Sequence, residues 1–348
     1  MKAIAYQQAH PVDHPESLLD IELPEPETSG HDLLVEVRAI SVNPVDSKIR
    51  MGVSPAEGEW KVLGWDASGV VKAVGPDVTL FKPGDKVWYA GDISRPGSNA
   101  EFQLVDERIV GKMPDSIGFD EAAALPLTAI TAWEMLFDRL QLGQDDNWSN
   151  QQKKAGGNSA GESLLIIGAA GGVGSIMTQL ARQLTSVTVI GTASREESRD
   201  WLLELGAHHV IDHTQPFAPQ LKAIGHETVN YIVSLNQTDQ HFEAIIESIA
   251  PQGKFGLIDD PSTLNALPLK RKSVSLHWEL MFTRSLYQTE DMIKQHQLLS
   301  TVAELVDAGL LRTTVANRFG RINAENLRRA HALLESNQSR GKIVLEGF

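Results

Sequence analysis

The sequence predicts an α/β protein of two units, a small β-barrel followed by a doubly wound parallel sheet. Three observations carry this expectation. The first third of the chain is a run of short strands separated by turn residues. From Ser163 onward strands and helices alternate, and a glycine-rich turn joins the first of those strands to its helix.

The early strands are rich in Val and aromatics: LLVEVRAI (Leu33 to Ile40), SGVVKAVG (Ser68 to Gly75), DKVWYAG (Asp85 to Gly91) and AEFQLV (Ala100 to Val105). Turns such as Gly75-Pro76-Asp77 and Lys82-Pro83-Gly84-Asp85 divide them. Near Phe119 the period becomes helical, with Asp120 as the expected N-cap and Pro126 separating two helical pieces. The second piece, Ala129 to Leu140, presents Ile130, Trp133, Leu136, Phe137 and Leu140 on one face. Gln141 to Gly161 is polar, with almost nothing to bury, and reads as an exposed loop.

Six strands follow, LLIIGA, VTVIGTA, HVIDH, NYIVSL, KFGLID and SVSLHW, with helices near Val173 to Leu184, Glu196 to Leu205 and Gln240 to Ile249. Such alternation makes a parallel sheet covered on both faces. The chain closes with helices over Asp291 to Ala308 and Asn323 to Ser336 and a final strand, KIVLEGF. Asn323 caps the last helix, and Ile322 faces Leu327 as a hydrophobic staple.

Composition bounds the function. At 348 residues the chain is long enough for two cores. It carries 31 Lys and Arg against 45 Asp and Glu, a net charge of -14, and no cysteine. Disulfides and thiolate-bound metals are thereby excluded. The acidic balance argues against nucleic acid or an anionic membrane as partner, since both require a positive patch. The first residues lack a secretory leader's apolar run and cleavage site, so a cytoplasmic location is expected. Ser163 to Ala181 has no charge, but its centre is glycine-rich, which favours a buried strand and turn over a membrane span.

The strongest local signal is Ala169-Ala170-Gly171-Gly172-Val173-Gly174, directly after the strand LLIIG and before a helix containing Ile176, Leu180 and Leu184. In a dinucleotide fold the small residues permit the tight turn, the approach of backbone N–H groups to the pyrophosphate, and close helix–strand packing. Alone, such a turn is an ordinary strand-to-helix connection; the strands and helices that follow favour the nucleotide. After the next strand the chain reads Gly191-Thr192-Ala193-Ser194-Arg195, with no acid to accept from a ribose 2′-hydroxyl. Ser194 and Arg195 suit a 2′-phosphate, so NADPH is expected over NADH. Arg195 as a merely solvated residue is the plainer alternative, though it has no acid one turn further on.

The order of these parts resembles the medium-chain dehydrogenase/reductase superfamily, and the motifs look like its quinone oxidoreductase (zeta-crystallin-like) branch, whose members often bear the name zinc-type alcohol dehydrogenase-like. The residues that carry the resemblance are Gly161-Glu162, Leu165, Ala169 to Gly172, Gly174, Gln179 and Arg182, with Ser41-Val42-Asn43-Pro44-Val45-Asp46, Gly64-Trp65-Asp66-Ala67-Ser68-Gly69, Lys82 to Val87, and Leu125 to Trp133. The resemblance spans essentially the whole chain. It implies a GroES-like, partly open β-barrel catalytic domain (1–127 and 283–348) and a six-stranded Rossmann domain that binds NADPH (128–282). It also implies a homodimer paired through the edge strand Ser273 to Trp278, a reading that an exposed apolar edge supports independently.

Zinc alcohol dehydrogenases of that superfamily carry Cys where this chain has Asn43 and a His-Glu pair where it has Trp65-Asp66. No metal is therefore expected. His208, His209, Asp212 and His213 form the one His-dense stretch, with His209 and His213 on one strand face; solvent exposure, or an adenine contact by His213, is preferred to a metal. Without a Lewis acid a simple aldehyde is hard to reduce, whereas a quinone or α,β-unsaturated carbonyl delocalises the charge to a remote oxygen. The expected activity is NADPH-dependent reduction of such an acceptor. The alternatives are a zinc-dependent alcohol dehydrogenase and a non-catalytic NADPH-binding protein.

The resemblance implies Asn43 beside the nicotinamide, Asp46 close to it, and cofactor contacts from Thr131, Ala170, Gly171, Gly172, Val173, Gly174, Leu235, Asn236, Ile258, Asp259 and Lys342. Several relatives have a Tyr where this chain has Lys48, which either donates to a developing enolate or is a surface residue. Asn43 is alternatively a turn-former before Pro44, and Trp65 a core or lid aromatic. Trp65, Trp278, Met281 and Phe282 are the expected substrate-pocket residues.

Overall fold

The computed structural model describes residues 1–143 and 161–348, so most of the polar stretch read as a loop lies outside the described residues. Two compact units result: Met1–Ile130 with Phe282–Phe348, and Thr131–Met281.

In chain order the first unit opens with β1 (Lys2–Tyr6), β2 (Leu19–Glu22), β3 (Asp32–Ser41), α1 (Pro44–Gly52), β4 (Lys61–Val62), β5 (Ala67–Val74), β6 (Lys86–Tyr89), β7 (Phe102–Asp106), β8 (Val110–Lys112) and α2 (Phe119–Ala123). β1 pairs antiparallel with β2 and β4. β3 pairs antiparallel with β5 and β7, β5 with β6, and β6 with β8, which builds the partly open GroES-like barrel. Alternation places Leu33, Val35, Val37 and Ala39 of β3 in the core.

Of these elements, sequence reading missed β1, β2, α1, β4 and β8. The start of α1 had a legible signal: Pro44 at the first helical position and Asp46 at the third, whose carboxylate accepts the N–H of the N-cap Asn43 at 2.6 Å. The cap of α2 is Gly118 and not Asp120, because Glu121 reaches back to the Gly118 N–H at 3.4 Å.

α3 (Pro126–Trp133) starts at the proline and runs into a π-helical turn over Glu134–Arg139. The extra residue in that turn rotates the apolar face away from a 3.6-residue period. Glu134 and Met135 are buried in place of Trp133 and Phe137, which are half-exposed. Arg139 donates to Glu279 at 2.6 Å, and burial together with Glu134 pushes the Glu279 carboxyl up to about 9.

The second unit continues with β9 (Ser163–Ile167), α4 (Gly172–Leu184), β10 (Thr188–Thr192), α5 (Glu196–Glu204), β11 (His209–Ile211), α6 (Phe217–Ala223), β12 (Val229–Ser234), α7 (Thr238–Ser248), β13 (Ile249–Leu257) and β14 (Ser275–Trp278). The strands are all parallel, in the order β11-β10-β9-β12-β13-β14, a Rossmann sheet whose order reverses between β9 and β12. Leu165, Ile190, Ile232, Phe255 and Leu257 fill its core. The uncharged stretch from Ser163 resolves into β9, a turn and a 13-residue helix. Among the described residues no helix is long and apolar enough to cross a membrane.

The chain then returns to the first unit with α8 (Thr283–Leu286), α9 (Lys294–Asp307), β15 (Val315–Arg318), α10 (Ala324–Glu335) and β16 (Lys342–Glu346). Asn323 caps α10, its side chain accepting the Asn326 N–H at 2.8 Å. β16 pairs antiparallel with β3 and parallel with β15, which extends the barrel sheet.

Candidate active site

In the second unit, parallel strands deliver every candidate cofactor residue of that sheet to one end. β9 leads into the turn 168–171, where the Gly171 N–H donates to the Gly168 carbonyl at 3.2 Å. Gly168 has a φ of +78°, and a Cβ there would meet Asn236 Oδ1 at 2.5 Å. A Cβ on Gly174 would lie 2.3 Å from the Ala169 carbonyl oxygen, so only glycine lets α4 start this close to β9. The result is a bare backbone cradle at the N-terminus of a 13-residue helix, which fits the pyrophosphate of a dinucleotide. On either side lie Ser194 and Arg195, both exposed beyond β10, and half-buried Leu235 and exposed Asn236 beyond β12.

Half-buried Ile258 and Asp259 follow β13, and the Asp259 carboxylate already accepts the Thr238 N–H at 2.9 Å and the Thr238 hydroxyl. β11 ends at Ile211, so His213 lies past the strand, its ring edge-on to His241 at 6.0 Å, and does not share a strand face with His209. Thr131 is buried.

In the first unit three element ends converge on a buried polar network. Val344 pairs with Ser41 between β16 and β3, which sets Lys342 opposite Asn43; the Ser41 N–H also donates to the Asp66 carbonyl just before β5. The Lys342 ammonium is 3.0 Å from Asp66 Oδ2, donates to the Val42 carbonyl at 2.8 Å, and donates to Asn43 Oδ1. Asn43 Nδ2 donates to Asp66 Oδ2 at 3.0 Å and approaches the Trp65 carbonyl at 3.3 Å. Asp66 Oδ1 accepts the Leu127 N–H at 2.9 Å.

Asp46 is anchored separately, by the N–H groups of Asn43 at 2.6 Å and Gly64 at 3.1 Å. Burial pushes Asp46 up to about 7, against the pull of the Asn43 N–H and Lys342. Burial raises Asp66 too, while Lys342 and its hydrogen bonds pull it back.

The structure thus brings Asn43, Asp46 and Lys342 together. Lys342, an expected cofactor contact, has three protein acceptors around its ammonium. Lys48 is exposed on α1. Trp65 is a core aromatic and not a lid: fully buried, it donates from Nε1 to the Asp92 carbonyl at 3.2 Å and meets Phe282 edge-on at 6.4 Å. Met281 is buried, and Trp278 is 52% exposed. Asp66 is the site residue that sequence reasoning passed over. Its signal was there, an acid inside an otherwise small and apolar strand start, Trp65-Asp66-Ala67-Ser68-Gly69. Among the described residues the one trio placed to share a metal ion is His10, His14 and Glu16, remote in sequence from the His-dense stretch 208–213.

Comparison with known proteins places these features in a family. Residues 29–115 match the alcohol dehydrogenase GroES-like domain and residues 205–345 the zinc-binding dehydrogenase family. A zinc-type alcohol dehydrogenase-like protein of Staphylococcus aureus is 41% identical over 99% of both chains. A quinone oxidoreductase of Lama guanicoe is 27% identical, over 94% of this chain and 91% of its own. The crystal structure of a putative zinc-dependent alcohol dehydrogenase protein from Rhizobium etli is 55% identical with a TM-score of 0.93, covering 100% of this chain and 98% of its own. A mycobacterial structure complexed with NADPH is 26% identical with a TM-score of 0.80, over 99% and 100%.

Proposed function

The chain belongs to the medium-chain dehydrogenase/reductase superfamily, in its quinone oxidoreductase branch, and on that premise we propose that it reduces a quinone or an α,β-unsaturated carbonyl with NADPH. It is an oxidoreductase of a pyridine nucleotide and a small molecule; the choice of NADPH and of a conjugated acceptor is our reading. One observation carries it. Where a catalytic metal would polarise a carbonyl, the chain offers an indole, an amide whose oxygen accepts from an ammonium, and a carboxylate with one oxygen against that ammonium and the other on the Leu127 N–H. The residues do not fit a catalytic zinc, which takes thiolate, imidazole or free carboxylate donors. An acceptor that spreads its own negative charge needs no such help.

When bound, the nicotinamide supplies hydride from C4 to the β-carbon of the enone or to the quinone. The chain's residues do the rest. The turn from Ala170 to Gly174 offers backbone N–H groups to the pyrophosphate. Ser194 and Arg195 neutralise the 2′-phosphate. Leu235, Asn236, Ile258 and Asp259 border the cofactor from β12 and β13, His213 borders the adenine, and Thr131 the ribose or phosphates. Asn43, immobilised in its network, forms a rigid wall beside the nicotinamide, and Asp46 fixes the backbone that carries Asn43. Lys48 donates the proton to the developing enolate.

The exposed edge of β14, with Trp278 at its end, pairs with a second copy to form the dimer. The test is consumption of NADPH on mixing with 9,10-phenanthrenequinone, a naphthoquinone and an enone; absence of turnover with every one of them would refute the proposal.

A further inference from the structure

We infer that Lys342 is a resident cation, a positioning residue whose ammonium takes the electrical and geometric place of a metal ion in the first unit. The inference deepens the metal-free reading above and rests on it only for its turnover measurement. Three features carry it. The antiparallel register of β16 on β3 puts Lys342 opposite Asn43, and the residue is only 3% exposed. Its three hydrogens meet Val42, Asn43 and Asp66, so it neutralises a buried carboxylate and orients the amide oxygen of Asn43 in one contact set. Asn43 then has a single orientation, with Oδ1 toward the ammonium and Nδ2 toward Asp66, 3.0 Å away.

A divalent ion entering here would find the Asn43 and Asp66 oxygens taken and a like charge among them. The neighbouring Asp46 carboxylate already accepts the Asn43 and Gly64 N–H groups, and the Trp65 indole has no lone pair to give and points its N–H at the Asp92 carbonyl. Lysine at this point therefore does two things: it holds the amide, and it keeps metal out. Because it is covalently part of β16, it is present in every copy of the folded chain.

The full-length protein tests this in two ways. Dialysis against Zn²⁺ or Co²⁺ followed by elemental analysis, done on the His10→Ala variant so that the trio of His10, His14 and Glu16 is broken, should leave the protein without a stoichiometric ion, and Co²⁺ should give no visible ligand-field bands. One equivalent of tightly held ion, removed by Asp66→Asn, would overturn the inference. Lys342→Ala should lower the melting midpoint and reduce quinone turnover about 100-fold, the scale for a misplaced catalytic wall. Added ethylamine should recover both, and ethanol neither. The double variant Lys342→Met with Asp66→Asn, which removes both charges together, guards against simple unfolding; it should regain stability but not turnover. Wild-type turnover in that double variant, or rescue of Lys342→Ala by ethanol as well as by ethylamine, would overturn the inference. Should wild type itself turn over no acceptor, the proposed activity fails, while the metal and melting measurements still decide the role of Lys342.

Discussion

His331 gives the sharpest stability prediction. It is fully buried in α10, where its Nδ1 accepts from Arg50 Nε at 3.3 Å and faces Ser47 Oγ at 3.5 Å. Burial, reinforced by the Arg50 guanidinium, holds the imidazole at about 3, well below its ordinary value. In the unfolded chain His takes a proton near pH 6.5, so between that pH and the folded value the unfolded state binds one more proton than the native one. Stability from this group is therefore complete above about pH 6.5 and is lost as pH falls toward about 3. From about pH 7.5 to about pH 4 the loss spans roughly 2.5 pH units, or about 3 kcal/mol as an upper figure.

Asp46 works in the opposite direction. Its carboxyl is raised to about 7, so its contribution is complete below its unfolded value near 3.8 and is lost as pH rises through about 7. Comparing His331→Gln with wild type removes this background, because Asp46 titrates in both. The glutamine carbonyl keeps an acceptor for Arg50 and does not titrate. Denaturation midpoints across that pH range should show wild type losing up to about 3 kcal/mol more than the variant. Parallel curves would refute a buried, neutral His331.

Three further outcomes follow from the same structure. Gly174→Ala sets a Cβ 2.3 Å from the Ala169 carbonyl oxygen, which no rotamer can relieve; calorimetry should show weakened NADPH binding by at least about tenfold, with a lower melting midpoint. Arg195→Ala should raise the Kd for NADPH by about 10- to 100-fold and leave NADH within about twofold, the effect of one charged hydrogen bond to the 2′-phosphate; equal losses for both would remove Arg195 from that role. Trp278→Glu places a charge beside the open edge of β14 and should shift sedimentation from dimer to monomer, whereas a wild-type monomer would reject edge pairing.

The parallel half of the fold was readable because burial on both faces writes each strand as an apolar run and glycine marks the turn between strand and helix. β9 and α4 came within one residue or two of their observed limits. At Ala129 to Leu140 the period found buried Ile130, Leu136 and Leu140 but failed at Trp133 and Phe137, where the π-helical turn shifts the buried face onto Glu134, a residue that no hydropathy pattern selects for the interior. β1 and β2 form a small sheet with β4; β1 buries four residues in a row and shows no alternation, and β2 is only four residues long. The candidate site divides in the same way. Gly171 to Gly174 announce a backbone requirement that sequence expresses directly. Lys342 and Asp66 are 276 residues apart, and only the return of β16 to β3 shows that each exists for the other.

The placement of the proposed cofactor residues at one end of a parallel sheet also bears on how such a protein can change over generations. Ser194 and Arg195 are exposed and follow the end of β10, so substitutions there leave the core intact and, under the proposed reading, are open to selection for a different dinucleotide. Gly174 and Lys342 have no such latitude, since one is fixed by backbone contact and the other by three simultaneous bonds. Drift in coenzyme preference is thus cheap for this architecture, and drift in the buried network beside Asn43 is not.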